Sequence, residues 1–78
     1  MNKKEQFLKA LGEQIANARN MRGISSAELA RKAFADTSLI SRIEKGRTNP
    51  TATTLLMICE ALEISFEELF IGFNSKLK

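Results

Sequence analysis

The side chains best equipped for chemistry in this sequence fall within one short stretch. Thr37, Ser38, Ser41 and Arg42 place three hydroxyls and one guanidinium within six positions. If that stretch is helical, with Ile40 and Ile43 turned inward, these four face outward together. Hydroxyls and a guanidinium on such a face can hydrogen-bond the edges of bases in a DNA major groove. Leu39 is expected to face out with them, where an exposed leucine can meet thymine methyl groups. Lys45 and Arg47 follow directly, placed to meet phosphates beside the groove.

Other chemistries find little support. The chain contains no histidine and a single cysteine, Cys59. This excludes disulfide scaffolds, zinc sites of the Cys/His kind and histidine-based catalysis. Cys59 itself reads as an inert buried thiol. We find no glycine-rich phosphate loop and no nucleophile–base pair, and Glu67 and Glu68 are adjacent and so point to different sides of a helix. The expectation is a chain that is not an enzyme, with no metal, cofactor or small-molecule ligand.

The net charge is +3, unevenly spread. Residues 1–22 carry five basic against two acidic side chains, residues 23–47 five against three, and residues 48–78 two against four, giving +3, +2 and −2. A basic first two thirds permits a nucleic-acid face there and a different surface at the acidic end. No 18-residue apolar run is present and Met1–Gly12 mixes charged with apolar residues, so neither a membrane span nor a signal peptide is expected. With one thiol, a reducing cytoplasmic setting is implied.

Periodicity and caps predict five helices and no strands in a single domain, residues 1–78. The first runs from about Lys4 to Met21, with Phe7, Leu11, Ile15 and Ala18 on one stripe and Gly23 as its left-handed stop. Ser25 and Glu28 have the spacing of a capping box, and Ile24 and Leu29 that of a hydrophobic staple, opening a second helix over Ser26–Ala33. Asp36 caps a third from Thr37 to Lys45, which Gly46 ends. Thr51 caps a fourth from Ala52 to Leu62. Ser65 and Glu68 form a second box, opening a short fifth helix from Phe66 to about Ile71. The tail from Asn74 is expected to fray.

Helices two and three are short, and only Phe34, Ala35 and Asp36 separate them. That is the spacing of a helix-turn-helix, whose second helix enters the major groove. The pattern Leu29-Ala30-x-x-x-Phe34-Ala35-Asp36-x-x-x-Ile40-Ser41-x-Ile43-Glu44-x-Gly46-x-x-x-Pro50, continued by Leu55-x-x-Ile58-Cys59-x-Ala61-Leu62, resembles the lambda-repressor/Cro-like (XRE-type) helix-turn-helix family. Ile15, Arg19 and Gly23-Ile24-Ser25 match upstream. Stand-alone chains of this size and pattern resemble the controller proteins of restriction–modification systems or short phage-type repressors.

The resemblance implies an all-α, five-helix fold and a transcriptional regulator binding double-stranded DNA in a sequence-specific way, usually as a homodimer on a palindrome. It implies base reading by Thr37, Ser38 and Arg42, with Ser41 nearby, and phosphate contacts from Ser25, Ser26 and the Lys45–Asn49 loop, Arg47 included. It also implies an ion pair of Arg19 with Glu44, tying helix one to helix three. Two positions depart from the family. Ser26 stands where many members have glutamine, and its shorter side chain cannot make the same reach. Phe34 stands where the turn usually has glycine. Either the turn keeps a left-handed residue, straining Phe34 by roughly 1 kcal/mol or more, or it is slightly remodelled, with the ring packed on the core.

Leu56, Met57, Phe66, Phe70, Ile71 and Phe73 exceed what so small a core should absorb. A contiguous apolar patch of this kind marks an interface, so the C-terminal helices, 51–71, are expected to carry a homodimer contact. The competing reading is a protein-interaction module on the same fold, such as an antitoxin or the partner of a larger regulator.

Overall fold

A computed structural model describes residues 1–71. Phe73 and the tail from Asn74 lie outside the described residues. The described chain forms five helices, α1 (Lys3–Met21), α2 (Ser26–Lys32), α3 (Thr37–Glu44), α4 (Ala52–Leu62) and α5 (Phe66–Leu69), with no strand among them.

Each helix begins on a side-chain cap that takes one of the unpaired N–H groups of the first turn. Ser25, Asp36, Thr51 and Ser65 accept from the backbone three residues on, at 3.1, 2.7, 3.0 and 3.0 Å. The Ser65–Glu68 box closes reciprocally. The Ser25–Glu28 box forms by half, because the Glu28 carboxylate lies instead near Lys32 and Arg31. Asn2 and Glu5 form a further box that starts α1 one residue earlier than periodicity suggests.

The helix ends share a single device. After α1, α2, α3 and α4 the chain turns back through a residue with positive φ: Gly23 (69°), Phe34 (57°), Gly46 (72°) and Glu63 (58°). In each case the next N–H bonds the carbonyl five residues earlier: Ile24 to Arg19, Ala35 to Ala30, Arg47 to Arg42 and Ile64 to Cys59. This is the Schellman motif, which satisfies carbonyls left open at a helix end. Two of the four are made without glycine. Glu63 is held by Arg22, whose Nη2 donates to the Glu63 carbonyl at 3.0 Å.

Leu11, Ile15, Leu29, Ile40, Ile43, Ile58, Cys59, Leu62 and Leu69 form the centre of the core. The staple residues Ile24 and Ile64 pack against it. One inward expectation is corrected. Phe7 is exposed, and the buried stripe of α1 begins at Ala10. Nineteen helical residues span about 28 Å, longer than any of the other four helices, and the first turns of α1 contribute no fully buried side chain.

Candidate nucleic-acid interface

The stretch from Thr37 to Arg42 lies on α3, and the helix is amphipathic in the required sense. Ile40 and Ile43 are fully buried, whereas Thr37, Ser38 and Arg42 are exposed and Ser41 is half-buried. Leu39 does not stand out in solvent as expected. It is half-buried and packs against the core, because its position on the helix turns it toward α4, where it lines a depression with Ala33, Phe34, Thr53 and Met57.

Two of the side chains expected to read bases are bonded to each other. Arg42 Nη1 donates to Ser38 Oγ at 2.8 Å across one helical turn. The guanidinium therefore leaves α3 with one prong already oriented, while its other donors remain outward.

The helix is fastened at its C-terminal end. Glu44, its last residue, receives Arg19 Nε at 2.7 Å and Arg19 Nη2 at 3.1 Å, and Arg19 Nη1 donates to the Ile24 carbonyl at 2.9 Å. The two side chains are 16% and 11% exposed. The hydrogen bond to Glu44 raises the Arg19 pKa above its ordinary value against a smaller opposing effect of burial, so the guanidinium is charged at any working pH. The expected pair is thus formed. One further attachment had no motif to announce it. Gly12 of α1 lies against the backbone of Ile43 and Glu44; the signal available was a glycine inside a helical pattern, which usually has a packing reason.

Ser25, Lys45, Arg47 and Asn49 are exposed and Ser26 is half-buried. Ser25 Oγ is engaged as the α2 cap, and Lys45 is the first residue beyond α3. The turn before α3 keeps its left-handed residue, so Phe34 carries the strain. Its ring, expected on the core, is instead 86% exposed. The Schellman bonds settle the backbone at that position before the side chain has any say, and the Cα–Cβ direction they dictate points the ring away from the interior.

The apolar C-terminal set divides. Leu56, Phe66 and Ile71 are exposed. Met57 and Phe70 pack on the molecule's own core instead. Phe70 sits 5.8 Å from Phe66, centroid to centroid, and Met57 turns toward the α2–α3 turn. Burial raises the pKa of the Cys59 thiol, with a lesser contribution from Glu68. No described helix is long and apolar enough to cross a membrane.

The profile of the helix-turn-helix family matches residues 15–69. The uncharacterized HTH-type transcriptional regulator y4dJ of Sinorhizobium fredii is 33% identical over 61 residues, covering 78% of this chain and 79% of that protein. The crystal structure of the restriction-modification controller protein C.AhdI from Aeromonas hydrophila superposes with a TM-score of 0.80 at 30% identity, over 81% of this chain and 96% of the other. The controller protein C.Esp1396I, as a tetramer in complex with its natural 35 base-pair operator, gives a TM-score of 0.81 at 28% identity over 91% and 93% of the two chains.

Proposed function

Because the chain belongs to the helix-turn-helix family, we propose that it is a transcriptional regulator that reads double-stranded DNA through α3, as a cytoplasmic homodimer on a palindromic operator and without catalytic activity. The observation that carries the reading is α3 itself. One side of this eight-residue helix is sealed into the core by Ile40 and Ile43, and the other presents Thr37, Ser38 and Arg42 to solvent.

In this reading Arg42 is the principal base contact, its fork suited to the O6 and N7 acceptors of guanine, with Ser38 holding it and Thr37 and Ser41 completing the edge. Leu39 supports the helix from behind rather than meeting bases. Lys45, Arg47 and Asn49 meet the phosphates beyond the C-terminal end of α3. Ser25 and Ser26 do so at the start of α2, where open N–H groups favour an anion. Leu56, Phe66 and Ile71 supply the contact between two copies. The paired arrangement accords with C.Esp1396I, a tetramer on its operator. Two reading heads would then fall about 34 Å apart, one turn of B-DNA.

Selection of bound duplexes from a random pool tests this directly. An enriched site with two-fold symmetry is expected, bound with an affinity that falls steeply as salt rises, by a protein that sediments as a dimer. Retention of no duplex even in dilute buffer would refute it. A bound site without symmetry, or a protein that stays monomeric on it, would refute the homodimer.

A further inference from the structure

Gly12 sits within α1, nine residues from either end of a 19-residue helix. Glycine is the poorest helix former after proline, so a glycine there calls for a reason. The reason is on α3. A methyl group built on Gly12 would lie 2.5 Å from the Glu44 carbonyl oxygen, 2.8 Å from the Glu44 carbonyl carbon and closer still to the Ile43 oxygen. These are backbone atoms, which cannot rotate out of the way as a flexible side chain can. The same crossing is tight from its other side. A methyl group on Gly46, just past α3, would meet the Lys9 backbone at 2.9 and 3.0 Å. One turn of α1, Lys9 to Gly12, is therefore nested against the last turn of α3 and the loop that follows. Two turns further along α1, Arg19 grips the Glu44 carboxylate. Glu44 is thus held through its backbone at Gly12 and through its side chain at Arg19, and contacts two turns apart define an orientation as well as a position.

We infer that Gly12 is a positioning residue for DNA reading: its missing side chain sets how deeply α3 is seated on α1, and hence where the Ser38–Arg42 edge stands. The inference rests on the proposed function, with α3 as the reading helix. A methyl group at Gly12 must push the C-terminal end of α3 outward by about 1 Å to reach ordinary contact distance. Recognition geometry tolerates displacements of about 0.5 Å. The consequence falls on base reading more than on phosphate contacts, because phosphates are met by mobile basic side chains and a diffuse field.

The test compares wild type with Gly12→Ala, Gly46→Ala and Gly23→Ala, each titrated with the selected duplex and a scrambled duplex of equal length over a range of salt. Gly23 is the control. It has a positive φ like Gly46, but a methyl group there meets nothing within 4 Å, so it imposes backbone strain without pushing α3. Folded Gly12→Ala is expected to bind the selected duplex about tenfold more weakly, the size of one mismatched base pair, with scrambled binding and salt slope unchanged. Folded Gly12→Ala that discriminates as wild type does, or that loses both affinities equally, overturns the inference. Should Gly12→Ala not fold, Gly46→Ala decides: discrimination weaker than that of Gly23→Ala supports the inference, and equal discrimination overturns it. A wild type that does not distinguish the two duplexes overturns the functional reading itself, and this inference with it.

Discussion

Arg19 and Glu44 join through two parallel hydrogen bonds, 2.7 and 3.1 Å long, across 25 residues of sequence. The third arm of the same guanidinium takes the Ile24 carbonyl, so one side chain of α1 holds both the entry to α2 and the last residue of α3. Charges this withdrawn from water are tolerable only when paired and hydrogen-bonded, and both conditions are met. The guanidinium–carboxylate fork adds direction to attraction, which suits a joint between the longest helix and the proposed reading helix.

Removal of one partner should therefore be costly. Glu44→Ala leaves the guanidinium with only the Ile24 carbonyl, and an expected loss of about 2–4 kcal/mol follows from stranding a mostly buried charge. Glu44→Gln, which retains an acceptor, should lose less. Urea midpoints measure both. A Glu44→Ala protein within about 0.5 kcal/mol of wild type, as for an ordinary surface change, would show that the joint is dispensable.

Phe34 invites the opposite experiment. Its backbone is left-handed and its ring exposed, so glycine relieves strain and gives up little burial. Phe34→Gly is expected to stabilise by about 1 kcal/mol, after allowance for the greater freedom of glycine in the unfolded chain. In a domain of this size that raises Tm by roughly 4–8 °C. A lower Tm would mean that the ring contributes packing energy despite its exposure.

The Ser38–Arg42 bond predicts non-additivity. Arg42→Ala should cost about 1–3 kcal/mol on the selected site and little on scrambled DNA. Ser38→Ala should cost less and act through Arg42, so that the double variant resembles Arg42→Ala alone. Fluorescence anisotropy titrations measure the cycle. Fully additive losses would mean that the two side chains read independently.

Cys59 gives stability an alkaline limit. Its thiol pKa is raised in the folded state, first by burial and then by Glu68, so the folded protein holds the thiol proton more tightly than the unfolded chain does. Below the unfolded thiol pKa, about 8.5, this contribution is fully present, and it is lost as pH rises toward the higher folded value. The chain has no tyrosine or histidine to add titrations of their own in that range. Thermal unfolding between neutral pH and about pH 10 should show a steeper decline for wild type than for Cys59→Ala. Parallel curves would exclude the thiol as the cause.

Much of this is legible in the sequence alone. Ser25, Asp36, Thr51 and Ser65 are short polar residues placed just before apolar runs, and each caps the helix it announces. Gly23 and Gly46 end helices because glycine enters the left-handed region without a side chain to strain. Ile40 and Ile43 are buried and Ser38 and Arg42 exposed for the same local reason, the helical repeat. Phe34 and Glu63 mark where local rules gave out: the same turn forms there without glycine because the backbone bonds of the Schellman motif outweigh the strain.

Caps, helical periodicity and motif spacing thus determined the five helices, most of the core face of each and the place of the proposed reading stretch, since all of these are set by neighbours within about one turn. The tertiary structure alone decided that Leu39, Met57 and Phe70 pack inward, that Phe7 and the Phe34 ring lie outside, and that Gly12 lies against the backbone of α3. Those outcomes depend on which surface of another helix arrives at each side chain, a distance between elements that no pattern along a single element encodes.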